Sequence, residues 1–159
     1  MHITPQPDYT TRLSNANEFM KQDKKDKAAN ELWRAALMIK YQEPNTAIAH
    51  LQKALTLSPQ QADYLNDLGL CYELILRHDK AIEYLQQAMQ SDPQFYPAQL
   101  NLGIANLQTG NYIDGFKYYE ARLQTHKLYS RKTFPDSKRW HGENLKGKTL
   151  TIYCEQGFG

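Results

Sequence analysis

The chain has 159 residues, a net charge of +2 and two cysteines, with 41% hydrophobic and 23% charged residues. This composition is typical of a soluble globular domain or a short repeat array, and it excludes an intrinsically disordered chain. The small net charge argues against nucleic acid or a membrane surface as a partner, and no apolar run approaches the length of a membrane span. The start lacks a signal-peptide pattern and the two cysteines lie far apart, so we expect a cytoplasmic protein.

The first part of the chain predicts an irregular segment followed by a short helix. Residues 1–9 contain two prolines and predict irregular structure. Apolar residues then recur on one helical face, at Leu13, Ala16, Phe19 and Met20. This pattern predicts a leading helix from about residue 10.

A second amphipathic helix is predicted between residues 28 and 41, and its partner is ambiguous. A period of 34 residues makes it the first helix of a pair with residues 45–57. The motif that begins at Asp26 instead resembles the start of a second helix, which would pair with residues 10–22. We favour the first pairing, because residues 45–57 keep phase with the next pair. Pro44 separates the two helices, and Asn45 is expected to cap the second one.

The segment 62–94 holds two helical patterns joined by a polar turn. Small and large residues alternate on the facing sides of the two helices, at Leu65, Leu68, Gly69 and Tyr72 in the first and at Ala81, Leu85 and Ala88 in the second. A shift of 34 residues upstream brings the second set back as Ala47, Leu51 and Ala54. The same shift downstream places Leu68-Gly69 on Leu102-Gly103. The chain is therefore predicted to repeat a helix hairpin.

The last hairpin is predicted from residues 95–108 and 112–124. Its pattern drifts, since Gly115 stands where the earlier helices carry alanine. Terminal repeats are often atypical because one of their faces no longer packs on a neighbour. An uncapped last repeat with exposed apolar surface would also favour self-association.

The 34-residue period, with its Leu-Gly, Tyr, Ala and Pro positions, resembles the tetratricopeptide repeat family. The resemblance covers about residues 28–127. It implies an all-α fold, in which residues 10–127 form an α-solenoid of about three helix hairpins plus a leading helix. The implied repeats are residues 28–61, 62–95 and 96–127.

Composition changes after the repeats. Residues 128–148 are basic and contain a proline and two glycines, which predicts an irregular linker. Residues 149–154 are short, apolar and β-branched, and they predict a strand. The glycine-rich residues 155–159 follow. Because such a strand and turn open a βα unit, residues 149–159 are expected to begin an α/β domain, and within this chain the strand has no partner.

Residues 110–159 resemble bacterial proteins in which repeats precede a glycosyltransferase-like domain. The resemblance rests on several motifs in the same order, namely Gly-Asn-Tyr-Ile-Asp-Gly-Phe at 110–116, Tyr-Glu-Ala-Arg at 119–122, Phe-Pro at 134–135, Trp-His-Gly-Glu at 140–143, Leu-Lys-Gly-Lys at 145–148 and Glu-Gln-Gly-Phe-Gly at 155–159. In that family the last motif enters a doubly wound fold related to heptosyltransferases and to the O-linked N-acetylglucosamine transferase. The family usually has Trp where Ala121 stands.

This resemblance implies that the chain is the recruiting arm of a glycosyltransferase and is not itself catalytic. One alternative is a free-standing adaptor with no linked catalytic domain. Another is an enzyme fragment that binds sugar nucleotide weakly through Gly157 and Gly159, a partial phosphate loop. The length of the intact gene product distinguishes the first two, since only a reading frame that continues past Gly159 supports the arm.

The sequence predicts no catalytic residues, no cofactor and no metal, because the histidines and cysteines lack ligand spacing. The expected functional surface is the concave groove lined by the first helix of each hairpin, which would bind a protein or an extended peptide. Helical geometry predicts these groove residues: Asp63, Asn66, Asp67, Leu70, Glu73, Leu100, Asn101, Ile104 and Gln108. Asn101 matches the position where related repeats grip a peptide backbone with asparagine. The alternative is a polar inner face with no specific ligand.

Overall fold

The computed structural model describes residues 8–125, 140 and 142–150. These residues contain eight helices and no strand, which confirms the predicted all-α solenoid. The helices are α1 (Tyr9–Lys21), α2 (Lys25–Ile39), α3 (Pro44–Leu57), α4 (Ala62–Leu74), α5 (His78–Ser91), α6 (Tyr96–Gln108), α7 (Tyr112–Tyr119) and α8 (Arg122–Thr125). None of these helices is long and apolar enough to cross a lipid bilayer.

Local capping chemistry decides where several helices begin. The Asp8 carboxylate accepts a hydrogen bond of 2.8 Å from the Thr11 amide and caps α1. The predicted cap of α3 is wrong, because Asn45 lies inside the helix and Glu43 is the N-cap residue. Pro44 is the first helical residue, where its fixed φ and missing N–H cost nothing.

Three hairpin turns share one backbone geometry. Each turn has a residue with positive φ, namely Asp23 (55°), Leu76 (58°) and Gly110 (84°). At each turn the following amide bonds a carbonyl in the last turn of the helix, in the pairs Lys24–Phe19, Arg77–Tyr72 and Asn111–Asn106, all at 2.9 Å. These are Schellman caps, which satisfy carbonyls that the helix end leaves open. The turns after α1, α4 and α6 therefore stop their helices in the same way.

Successive helices from α1 to α7 pack against each other, and α4 also contacts α6. The Trp33 indole N–H donates a 2.8 Å hydrogen bond to Asp67, which joins α2 to α4. On the other side, the Tyr9 hydroxyl lies 2.8 Å from His50 Nε2 and joins α1 to α3. The hairpins thus form two layers. We call α2, α4 and α6 the inner layer, and α1, α3, α5 and α7 the outer layer.

The structure packs α2 against both α1 and α3. The turn between α1 and α2 has the same cap as the two later hairpins. The hydrogen bond to Asp67, by contrast, puts α2 in the inner layer beside α4. Helix α2 therefore combines the two roles between which the sequence left a choice, and the repeat boundaries stay a prediction.

Leucines at the 34-residue period fill the space between the layers. Leu51 and Leu85 on the outer helices, and Leu68 and Leu102 on the inner helices, are all 0–1% exposed. Alanines pack between them with no exposed surface, at Ala47, Ala54, Ala81 and Ala88. Burial of this repeated apolar set stabilises each hairpin only together with its neighbours.

The last outer helix is shorter than predicted. The sequence predicted one helix over residues 112–124, but α7 ends at Tyr119 and α8 begins at Arg122. Between them the Ala121 amide bonds the Tyr118 carbonyl, three residues back, at 3.0 Å. This tighter turn interrupts the α-helical ladder, and it places Ala121 in a buried position, 6% exposed.

Residues 123–159 form a second compact unit, of which 123–125, 140 and 142–150 are described. Residues 142–150 have turns at Gly142 and Gly147, both with positive φ. The Trp140 indole donates a 2.8 Å hydrogen bond to the Glu143 carbonyl. Of the predicted strand, Thr149 and Leu150 have no strand structure. Its other residues, together with Gly157 and Gly159, lie outside the described residues.

Candidate functional site

The structure joins two predicted groove residues directly. The Asn101 amide nitrogen on α6 donates a 2.8 Å hydrogen bond to the Asn66 amide oxygen on α4. Asn66 is buried at 7% exposure, and Asn101 is partly exposed. Within the described residues, the remaining amide groups, Asn66 Nδ2 and Asn101 Oδ1, have no hydrogen-bond partner. The pair therefore keeps one donor group and one acceptor for a ligand.

Asp67 has a structural role that the sequence did not indicate. Its carboxylate accepts 2.8 Å and 3.2 Å hydrogen bonds from the Trp33 indole and the Lys40 ammonium group on α2. The Asp67 residue is only 8% exposed, and the Lys40 charge compensates its own. A buried carboxylate with both oxygens bonded holds two helices together and has little capacity for a ligand. The structure therefore separates Asp67 from the exposed groove positions.

Asp63 lies one turn before Asn66 on α4 and is exposed. Among the described residues it has no hydrogen-bond or ion-pair partner. Partial burial raises the pKa of its carboxyl above the ordinary value, and the nearby Asp67 and Asp92 carboxylates raise this pKa further. Asp63 is thus an open negative charge beside the asparagine pair.

The rest of the predicted groove is apolar or already paired. Leu70 and Leu100 are partly exposed, Ile104 is 38% exposed and Gln108 is exposed. The Glu73 carboxylate lies 3.0 Å from His78 Nδ1 at the start of α5. Asp63, Asn66, Leu70, Leu100, Asn101 and Ile104 therefore make up the open surface of α4 and α6, which we call the α4–α6 face. Binding of a peptide there stays a prediction.

The outer layer contains a cleft that sequence reasoning missed. It has a volume of about 570 Å³ and lies between α3 and α5, over Leu65 and Leu68 of α4. None of its lining residues is charged, and four are glutamines: Gln52, Gln60, Gln87 and Gln90. Because α4 contacts α6 directly while α3 and α5 leave this gap, the helices splay on the outer layer. The array in this region therefore curves toward the α4–α6 face, which is its concave side.

Cys71 lies in the core with no exposed surface. Burial, and then the Asp67 carboxylate, raise the pKa of its thiol to about 11. Because the folded-state pKa exceeds the unfolded one, the contribution of the thiol to stability is complete below pH ~8.5. It is then lost as the pH rises toward the folded pKa, by about 2–3 kcal/mol. Urea unfolding between pH 8 and 11 measures this loss, and we expect Cys71→Ala to remove most of the slope. A slope of the same size in that variant would contradict the assignment.

The described residues contain no cluster of three or more histidine, cysteine or carboxylate groups that could hold a metal ion. The comparisons with known proteins instead concern the repeats. The model of the tetratricopeptide repeat family matches residues 42–94 and 76–125, which together are more than half of the chain. The chain belongs to the tetratricopeptide repeat family. The matched residues include α3 to α7 and leave α1 and α2 outside.

One curated protein similar to this tetratricopeptide repeat chain is the CTR9 homolog of Arabidopsis thaliana. The two are 29% identical over 83 residues, which cover 51% of this chain and 8% of that protein. The chain therefore spans only a small part of the length of that relative. The crystal structure of MamA is similar with a TM-score of 0.54 and 26% identity, over 75% of this chain and 78% of that one.

Two further structures share the fold. The second tetratricopeptide repeat domain of Spaghetti (RPAP3), bound to the HSP90 peptide SRMEEVD, has a TM-score of 0.60 and 16% identity over 68% of this chain and 95% of that one. The Sgt2 repeat domain from Aspergillus fumigatus has a TM-score of 0.52 and 22% identity over 79% and 70% of the two chains. At these identities the likeness concerns the fold alone.

Proposed function

We propose that this repeat region binds a protein partner by holding an extended peptide along the α4–α6 face. The observation that carries the proposal is the Asn66–Asn101 pair, which joins two neighbouring inner helices and keeps a free donor and a free acceptor. A peptide backbone offers one donor and one acceptor per residue, so an amide pair suits it whatever the peptide sequence. The Spaghetti domain, which shares this fold, has a peptide bound.

Apolar side chains next to the amides supply the remaining contact. Leu70 on α4 and Leu100 and Ile104 on α6 are all partly or fully exposed. Contact with a ligand would remove this apolar surface from water at a gain of about 25 cal/mol per Å². We therefore propose a ligand with main-chain hydrogen bonds to the asparagines and at least one apolar side chain against the leucines.

We further propose that the module recruits substrates for a linked glycosyltransferase domain. The support is the resemblance of residues 110–159, with its closing motif Glu155–Gly159, to repeat proteins that carry such a domain. The alternative is a free-standing adaptor, which the likeness to the Sgt2 repeat domain favours. The sequence of the intact gene product tests the choice, because the arm requires an α/β domain after residue 159.

Self-association is a further proposal. Its support is the exposed apolar surface of α7, where Tyr112 is 62%, Ile113 is 85% and Phe116 is 62% exposed. Apolar side chains at this spacing form one patch on the helix. A concentration-dependent mass in sedimentation would support it.

Asn101→Ala is expected to weaken binding of a peptide selected from a displayed library about tenfold. The change removes an amide acceptor and leaves Asn66 unpaired, a loss of about 1–2 kcal/mol. Isothermal titration calorimetry measures the affinity. Asn45→Ala is the matched control, since Asn45 is exposed on the outer helix α3 and should leave the affinity unchanged. Equal affinity of the Asn101→Ala variant and the unsubstituted protein would refute the placement of the site.

A further inference from the structure

The charges on the α4–α6 face have one sign. Helix α6 carries no charged residue between Tyr96 and Gln108. Helix α4 carries Asp63, Asp67 and Glu73 and no cation. A ligand along these two helices therefore meets carboxylates, amides and apolar groups, and it meets no lysine or arginine that belongs to them.

Two of the three carboxylates are already balanced. Lys40 on α2 lies 3.2 Å from Asp67, and His78 on α5 lies 3.0 Å from Glu73. Asp63 has no such partner among the described residues. The charged groups that act on its carboxyl are Asp67 and Asp92, both acidic. The cations of the inner layer, such as Lys40, thus leave the charge of Asp63 open.

The positions along α4 set an order of contacts. Asp63 and Asn66 are three residues apart, and Asn66 and Leu70 are four apart, so the three side chains follow one face of the helix. The rise from Asp63 to Leu70 is about 10 Å at 1.5 Å per residue. An extended peptide covers this distance in about three residues at 3.3 Å each.

We infer that the α4–α6 face selects an extended peptide with a lysine or arginine against Asp63 and an apolar residue about three positions away, and that it rejects acidic peptides. The inference rests on the proposed function and names its ligand class. A cation on the ligand would offset the open charge of Asp63, while its backbone bonds the asparagine pair and its apolar side chain contacts Leu70. An acidic ligand would instead place like charges together with no compensating cation on either helix.

The test starts from a displayed library of random heptapeptides, selected on the full chain. We expect enrichment of lysine and arginine over aspartate and glutamate. The best basic peptide is then compared with SRMEEVD, the peptide bound by the Spaghetti domain, by fluorescence anisotropy at low and high salt. We expect the basic peptide to bind at least about tenfold tighter and to weaken as salt rises.

Two variants with the same change in net charge locate the interaction. Asp63→Asn should weaken the basic peptide about fivefold and reduce its salt dependence. Glu83→Gln removes a carboxylate from the outer helix α5, where Glu83 pairs with Lys80, and should leave the affinity unchanged. Asp63→Lys should shift the preference toward SRMEEVD. Far-ultraviolet circular dichroism confirms that each variant is folded.

The outcomes separate this inference from the proposed function. Selected peptides that need Asn101 but show no preference for basic residues would leave the peptide site standing and overturn the charge selection. Enrichment of acidic peptides, or an unchanged affinity in Asp63→Asn, would overturn it as well. A library that yields no binder would remove both the site and its specificity.

Discussion

Leu85→Ala is expected to lower the free energy of unfolding by about 3–4 kcal/mol. Leu85 on α5 has no exposed surface and packs with Leu102 and Ala105 of α6. It also faces Gly69 on α4, where a Cβ atom would lie 2.8 Å from Leu85 Cγ. Truncation removes the transfer free energy of the side chain and leaves a cavity between three helices, which together cost about 3–4 kcal/mol. The midpoint of urea unfolding, followed by helical circular dichroism, measures the loss.

Leu76→Ala provides the matched control for this variant. Leu76 lies in the turn after α4 and is 76% exposed, so the same truncation should change stability by less than about 0.5 kcal/mol. A repeat array unfolds partly by units, so the slope of the transition is compared as well as its midpoint. Similar losses in the two variants would contradict the buried position of Leu85.

Gly103→Ala is expected to lower the free energy of unfolding by about 2–4 kcal/mol, although alanine favours helix by about 1 kcal/mol. A Cβ atom at Gly103 on α6 would lie 2.5 Å from the Tyr119 nitrogen and 2.8 Å from Tyr119 Cα. These are backbone atoms, which cannot rotate away, so α6 and α7 would have to separate. Thermal and urea unfolding measure the effect.

Gly69→Ala is the graded comparison, because Gly69 is the equivalent glycine one period earlier. Its added Cβ would approach the Leu85 side chain, which has some freedom to shift, where Gly103 meets backbone. We therefore expect a smaller loss for Gly69→Ala. Equal losses, or a smaller loss for Gly103→Ala, would show that backbone contact between α6 and α7 does not limit this position.

Most of the fold follows from local pattern. The period of 34 residues recovered α3 to α6, because each helix repeats the same small and large residues on its buried side. Leu51 and Leu85 illustrate the reason, since both have no exposed surface in equivalent outer helices. A repeat contacts mainly its neighbours in sequence, so a local pattern carries most of the packing information.

The errors of sequence reasoning occur where two local signals compete. Asn45 is a good capping residue, but Pro44 before it is a better first helical residue, so α3 begins one position earlier. The period predicted a single helix over residues 112–124, but the buried Ala121 lies in a tight turn between α7 and α8. Helical periodicity contains no term for such breaks.

The sequence by itself determined the helices, their order and the face that each one turns to its neighbours, because 3.6-residue periodicity and the small residues at crossings are local properties. Only the tertiary structure decided which groove residues are open. Asp63 and Asp67 share one face of α4, yet Trp33 and Lys40 on α2 bind Asp67 and leave Asp63 unpaired. Periodicity gives the direction of a side chain from its helix axis, whereas its partners depend on which distant helix packs there.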